Sequence, residues 1–417
     1  MSKEDCENQR FSTRVINSRF AKPDSHGAIS MPVYRNAAFE FSDSEAIAAA
    51  FQYKEDVSSH TYTRITNPTV ENLEQKIKEA SGADNVLSVA SGMAAISNTF
   101  MALAYAGSNI VTSPHLFGNT FSILKFTLAA FGVEVRFVNT DNLEEIASAI
   151  DENTCAFFCE LITNPHLEIA DLPEISKILK DRGVPMIVDT TIVPWCAFDP
   201  KKWGVDIEVV STTKYISGGA TGIGGAILDY GTFDWTRSKR LASAPKSACM
   251  SQFSFKLKRE IARNIGACMS PDTAFQQALG METLQLRFER VSASAYALAQ
   301  FLQEQTSVVK VGYPKLDSSP YKAISDKFFD GNPGAMLTFS LASKAACYQF
   351  MDKLQVIRRA TNLFDNKTLV IHPESTIYGT FSQEMKEVMG IEDNLLRLSV
   401  GLEDIADLKA DILQALA

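Results

Sequence analysis

From Thr69 to Leu228 the chain alternates short apolar runs with segments of helical period, and this alternation constrains the fold more than any other feature. Residues 86–90, 109–112, 133–138, 154–161, 185–188, 207–210 and 225–228 have the length and apolar continuity of buried strands. Helical patterns separate most of them. One runs from residue 70 to 81 and ends at Gly82. A second opens at Ser91 and places Met93, Ile96, Phe100 and Leu103 on one face. Others cover 120–131 and 172–181. Parallel strands need crossovers of this length. The pattern therefore predicts an α/β fold built on a mostly parallel, doubly wound sheet.

The flanks follow other rules. Residues 1–65, with Pro23, Pro32 and only short apolar pieces, predict an extended arm carrying one helix, Ser44 to Tyr53, capped by Ser44. An arm of this kind buries little by itself, so it packs on the rest of the protein or on a partner subunit. Within it, alternation places Tyr62 and Arg64 on one side of an extended segment. Between Phe233 and Cys268 the period weakens while Arg237, Lys239, Arg240, Lys246, Lys256, Lys258, Arg259 and Arg263 gather. A solvated connector accounts for that stretch better than an anion-attracting lid. A long helix over 271–305 follows, with Phe275, Leu279, Leu284, Leu286, Phe288 and Val291 as its apolar positions. Short strands at 308–311, 335–341 and 395–400 and helices at 344–354 and 404–417 complete a smaller α+β domain. The expected division is an arm over 1–65, an α/β domain over 66–270 and an α+β domain over 271–417.

A length of 417 residues accommodates that division, and 46% hydrophobic with 21% charged residues is ordinary for a globular enzyme. A net charge of −9 argues against nonspecific binding to nucleic acid or anionic membranes. No apolar run approaches the roughly 18 residues that a membrane helix needs. The first residues are polar and acidic, unlike a signal or transit peptide. Seven scattered cysteines, Cys6, Cys155, Cys159, Cys196, Cys249, Cys268 and Cys347, suit reduced thiols better than disulfides or a metal site. A cytoplasmic protein is expected.

The chemistry concentrates in two places. The apolar run 207–210 breaks into the hydroxyls Ser211, Thr212 and Thr213 and then presents Lys214. Five glycines follow within eight residues, Gly218, Gly219, Gly222, Gly224 and Gly225. Asp189 ends the preceding strand. A lone Ser-x-x-Lys describes many loop lysines, but here an acidic group stands at a neighbouring strand's carboxyl end, where open α/β sheets bind ligands. Pyridoxal phosphate needs this combination: a lysine to bond it and an acid to keep its pyridine nitrogen protonated. Ser91-Gly92-Met93 is a strand-to-helix junction of the kind that holds a phosphate.

These pieces together resemble the Cys/Met-metabolism family of pyridoxal-phosphate enzymes. The resemblance rests on Tyr62-Thr-Arg64, Asn67-Pro68-Thr69, Ser91-Gly-Met93, Asn164-Pro165, Val188-Asp189, the run from Ser211 to Gly218, Gly280-Met-Glu-Thr-Leu-Gln-Leu-Arg287 and Arg397-Leu-Ser-Val-Gly-Leu-Glu403. It implies the aspartate-aminotransferase-like arrangement known as fold type I, with pyridoxal 5'-phosphate as cofactor. It implies that Lys214 bonds the cofactor and moves substrate protons, and that Asp189 pairs with the ring nitrogen. Ser91, Gly92, Met93, Ser211 and Thr213 would bind the phosphate, assisted by Tyr62 and Arg64 from a neighbouring subunit, with Tyr62 also in acid–base steps. Arg397 would grip the substrate carboxylate, completed by Asn164 and Asn362. The catalytic unit implied is a homodimer, doubled to a homotetramer.

Two departures from the family pattern bear on the branch. Phe117 stands where the family commonly has tyrosine; its ring can stack on the cofactor but offers no hydroxyl. Asn119 stands where methionine γ-lyases usually have cysteine. Asn362 and the run from Leu369 to Thr376 resemble the sulfhydrylase branch, although Tyr378 and Gly379 replace the usual histidine and serine. The expected activity is replacement of acetate in O-acetylhomoserine by sulfide or another sulfur donor, a small thiol or a protein-bound thiocarboxylate. Cystathionine γ-synthase and a γ-lyase are the alternatives within the fold, and a non-catalytic homologue is the alternative outside it.

Overall fold

The computed structural model describes residues 9–20, 24–52 and 60–417. Cys6, Pro23 and Tyr53, used in the expectations above, lie outside them. Seven strands form the larger sheet: β1 (Asn85–Val89), β2 (Asn109–Thr112), β3 (Glu134–Phe137), β4 (Thr154–Glu160), β5 (Met186–Asp189), β6 (Ile207–Val210) and β7 (Gly225–Asp229). Their order is β1-β7-β6-β5-β4-β2-β3, parallel throughout except for β7, which runs antiparallel to both neighbours. Helices cover both faces, so strands β2 and β7 are buried along their whole length, and that is why they read as unbroken apolar runs.

Five strands form a smaller sheet: β8 (Lys310–Gly312), β9 (Met336–Ser340), β10 (Arg358–Arg359), β11 (Leu369–Ile371) and β12 (Leu395–Ser399), in the order β10-β11-β12-β9-β8. Only β10 and β11 pair in parallel. Among the described residues no helix is long and apolar enough to cross a membrane. Six cysteines there carry no disulfide.

Several local expectations are corrected. Helix Ser44–Phe51 is capped by Asp43, whose carboxylate accepts from the Ala46 N–H at 2.8 Å, and not by Ser44. The helix that precedes β1 begins at Pro68, because Asn67 caps it and proline at its first turn forfeits no hydrogen bond. Tyr62 pairs in an isolated antiparallel bridge with Ala38, but the chain turns directly after it and carries Arg64 on the turn: the Tyr62 carbonyl accepts from Ile65 N at 2.8 Å and Thr66 N at 3.1 Å. The segment between Phe233 and Cys268 is no mere connector, since residues 252–265 are helical. Phe253, Leu257 and Ile261, four residues apart, are all buried against the sheet's cover. Four cations within that stretch mask the period. The long helix is two helices, Pro271–Glu282 and Leu284–Gln303, broken at Thr283. Leu279 and Leu286 are 59% and 69% exposed, so they are not core positions, whereas Leu284, Phe288 and Val291 are. The arm does pack on the chain: helix Phe11–Ile16 buries Val15, and the Val15 carbonyl accepts from Lys76 Nζ at 2.9 Å.

Candidate active site

Strand register sets the site. Glu160 lies opposite Asp189, and Asp189 opposite Val209, at the carboxyl ends of β4, β5 and β6. Val89 lies opposite Gly225, and Val210 opposite Ala226. The antiparallel β7 therefore starts at the edge where β1 and β6 end. The segments after β1, β2, β4, β5 and β6 and the glycine-rich entry to β7 all meet along this one edge, the usual ligand edge of such sheets.

At one corner Ser91 caps helix Gly92–Leu103, accepting from the Ala94 N–H at 3.0 Å. A Cβ on Gly92 would fall 2.7 Å from the Ser211 Cβ, and one on Gly225 would fall 2.1 Å from the Ser91 carbonyl oxygen. Only glycine lets the three segments approach this closely. The first N–H groups of a helix have no partner inside it, so those of Gly92 and Met93 are available to an anion beside Ser211. The Thr213 hydroxyl is engaged by Gly224, donating to its carbonyl at 3.2 Å and accepting from its N–H at 3.0 Å. Thr213 thus braces the glycine-rich segment in this structure.

Lys214 is half-buried, and its Nζ donates to Asn362 Oδ1 at 2.7 Å. Burial, aided by the Arg397 charge and opposed by Asp189, pulls its pKa down to about 8. A lysine so tuned is a competent nucleophile and base near neutral pH. In cofactor-free protein, borohydride trapping of pyridoxal phosphate on Lys214 is expected to rise with pH through about 8, as the neutral amine grows in. A midpoint near 10.5 would show an amine in bulk-like solvent.

Asp189 ends β5. Burial pushes its carboxyl up, while the Thr191 hydroxyl and N–H (2.9 Å) and the Lys214 charge pull it back. Arg397, on β12, is 2% exposed. Its Nη1 donates to Asn164 Oδ1 at 3.1 Å and its Nη2 to the Asn362 carbonyl at 3.4 Å, while Nε has no partner among the described residues. Among the described residues no carboxylate pairs with it, and burial lowers its pKa to about 10. Glu208 makes the contrast: also fully buried, it accepts from the Tyr230 hydroxyl at 2.6 Å, from Trp195 Nε1 at 3.0 Å and from the Thr190 hydroxyl. Such a satisfied carboxyl is structural. Among the described residues Asp189 lacks a strong cationic partner and Arg397 an anionic one.

Phe117 is half-buried where the segment after β2 enters helix Gly118–Ser122. Tyr62 and Arg64 are not brought to this edge by hydrogen bonds or ring contacts among the described residues. Tyr62 is 41% exposed, with the Arg64 guanidinium 5.4 Å from its ring centre, and Arg64 Nη1 donates to the Arg263 carbonyl at 2.5 Å. Sequence reasoning missed Glu160. Its signal was an acid inside an apolar strand, one that falls in register with Asp189 once the strands are paired. Tyr378, noticed only as a departure, is fully buried beside the same loops.

The donor set fits pyridoxal phosphate. It offers a lysine held partly neutral, a buried acid in want of a cation, and a helix start pressed by glycine against a serine. Comparison with known proteins agrees. The family model described as Cys/Met metabolism PLP-dependent enzyme matches residues 12–417. O-acetyl-L-homoserine sulfhydrylase 1 of Thermus thermophilus is 36% identical, covering 98% of this chain and 100% of its own. The O-acetyl-L-homoserine sulfhydrylase of Corynebacterium glutamicum is 33% identical over 96% of this chain and 95% of its own. Among solved structures, a Campylobacter jejuni protein assigned as an O-acetylhomoserine (thiol)-lyase superposes with a TM-score of 0.92 at 33% identity, covering 98% of this chain and 100% of its own. It carries a pyridoxyl-lysine phosphate. The O-acetylhomoserine sulfhydrylase of Wolinella succinogenes is 44% identical with a TM-score of 0.77, covering 85% of this chain and 99% of its own. On the whole-length family match and these relatives, the chain belongs to the Cys/Met metabolism family of PLP-dependent enzymes.

Proposed function

We infer that the chain is an O-acetylhomoserine sulfhydrylase, exchanging the acetoxy group of O-acetylhomoserine for sulfur to give homocysteine and acetate. The observation that carries this reading is Asn362, which joins two functions. Its side-chain oxygen holds the Lys214 amine and its carbonyl holds the buried Arg397 fork. An amino acid whose carboxylate lies on Arg397 would bring its α-carbon toward Lys214. The names of the relatives supply the substrate.

In this reading Arg397 binds and orients the carboxylate, with Asn164 fixing the guanidinium plane. Pyridoxal phosphate, when bound, draws electrons from the substrate α-carbon and so acidifies its proton. Lys214 Nζ takes that proton and then moves one at the β-carbon, after which acetate leaves from the γ-carbon and a sulfur nucleophile takes its place. Asp189 would keep the ring nitrogen protonated, and Gly92, Met93 and Ser211 would hold the phosphate. Ser91 shapes that corner as the helix cap, and Thr213 supports it through Gly224. Phe117 would cover the cofactor ring without offering a hydroxyl, so proton transfer would rest on Lys214, with Tyr62 as the other acid–base candidate. The exposure of Tyr62 supports its reaching, with Arg64, a neighbouring subunit's phosphate corner in a homodimer, paired into a homotetramer. Sulfide is the simplest donor; a small thiol or protein thiocarboxylate would enter by the same attack. A cytoplasmic setting suits the acidic chain.

The test supplies purified protein with O-acetylhomoserine, with and without sulfide, and follows homocysteine and 2-oxobutanoate together. Homocysteine formed only with sulfide is the expected result. Dominant 2-oxobutanoate in both arms would make the enzyme a γ-lyase.

A further inference from the structure

Two buried side chains outside the expected site grip the backbone on which two of its members are mounted. The Glu160 carboxyl, at the end of β4, accepts from the Phe117 N–H at 2.6 Å with one oxygen and from the Asn164 N–H at 3.2 Å with the other. The Tyr378 hydroxyl, on the segment following β11, is shared between the Leu116 carbonyl at 3.0 Å and the Asn164 carbonyl at 2.9 Å. The Leu116 C=O and Phe117 N–H belong to one peptide plane, so that plane is held at both ends. Asn164 is likewise held through both its N–H and its C=O. Three chain segments, after β2, after β4 and after β11, thus converge on two side chains.

Both groups are enclosed. Glu160 is 6% exposed and Tyr378 has no exposed surface. Burial, with Asp189 on the adjacent strand, raises the Glu160 pKa to about 8, and burial raises that of Tyr378 too. The two segments approach closely here: a Cβ on Gly118 would lie 2.9 Å from the Ile377 carbonyl oxygen and in ordinary contact, 3.6 Å, with the Tyr378 ring. Asn164 Oδ1 in turn receives Arg397 Nη1 at 3.1 Å.

We propose that Glu160 and Tyr378 form a two-sided clamp of positioning residues, which fixes the Phe117 ring against the cofactor and the Asn164 amide against Arg397. The inference rests on the site reading above, in which Phe117 faces the ring and Asn164–Arg397 the substrate carboxylate. The clamp ties a segment of the smaller sheet to two loops of the larger one, so the cofactor side and the carboxylate side of the site share one support. It leaves Lys214 alone, because that amine is held by Asn362.

Tyr378→Phe keeps the ring and deletes only the hydroxyl. In the cofactor-loaded protein it is expected to raise the KM for O-acetylhomoserine about three- to tenfold, the effect of losing one shared hydrogen bond, with kcat within about twofold. The dissociation constant of pyridoxal phosphate should rise by a similar factor, and the induced circular dichroism of the bound cofactor should weaken as the Phe117 ring loses its fixed pose. Glu160→Gln keeps one acceptor but turns an NH2 group toward a backbone N–H, so the same shifts in the same direction are expected and larger. A drop in melting temperature with KM, cofactor affinity and dichroism unchanged in Tyr378→Phe overturns the clamp and leaves a structural role only. Should Glu160→Gln fail to fold, Tyr378→Phe decides alone. The underlying site reading fails separately, on an unchanged KM in Arg397→Ala.

Discussion

Lys214→Ala is expected to lower turnover by at least about a thousandfold, within the range of general acid–base contributions, while the protein remains folded. The separation between the two effects follows from how the lysine is held. Among the described residues its Nζ makes a single hydrogen bond, to Asn362 Oδ1. Burial and the Arg397 charge both disfavour the cation, so its folded pKa is about 8 against 10.5 for the free side chain. The sign follows from linkage. Between about 8 and 10.5 the unfolded chain binds a proton that the folded chain does not, so stability rises with pH across that window. Below pH 8 the charged lysine opposes folding by its full amount. Removing it at neutral pH relieves that opposition, at the cost of some packing from the aliphatic stem. The melting temperature should move by no more than a few degrees, and far-ultraviolet dichroism should be unchanged. Turnover assays and a melt on the same preparation check this. Retained turnover would remove Lys214 from the chemistry, and a collapsed fold would mean that its tether to Asn362 is structural.

Much of the architecture was legible because its causes are local. Strands buried on both faces leave continuous apolar runs, and glycines with left-handed φ close the helices, as at Gly82 (72°) and Gly183 (71°). Lys214 and Asp189 were legible as well, because each stands where an apolar run turns polar. What stayed hidden depends on partners distant in sequence. Glu160 binds the N–H of Phe117, 43 residues away, and Tyr378 binds the carbonyl of Leu116, 262 residues away. No periodicity records which backbone groups will need a buried partner. Leu279 and Leu286 misled for the converse reason. Seven residues apart, they share one helical face, but the buried stripe is the neighbouring one that carries Gln277, Met281, Leu284, Phe288 and Val291, so they face outward. An apolar position says that a residue can be covered, not that its own chain covers it.

Arg397 gives the second large effect, this time in binding rather than in turnover. Its guanidinium is buried, faces two oxygens of neutral groups and pairs with no carboxylate among the described residues. A substrate carboxylate arriving here would be held by charge-assisted bonds, each contributing roughly 1.5–3 kcal/mol. Arg397→Ala should therefore raise the KM for O-acetylhomoserine by about 10- to 100-fold, at about 1.4 kcal/mol per tenfold, with a smaller change in kcat. Arg397→Lys should fall between, since a point charge replaces a planar fork that also orients Asn164. Stability is the wrong readout for either variant. Deleting the cation removes a desolvated charge but leaves a cavity and an unpaired Asn164 oxygen, and these act in opposite directions. An unchanged KM in both variants would show that the carboxylate binds elsewhere. Arg397 would then be a buried cation held only by Asn164 and Asn362, and the geometry joining it to Lys214 through Asn362 would lose its meaning for catalysis.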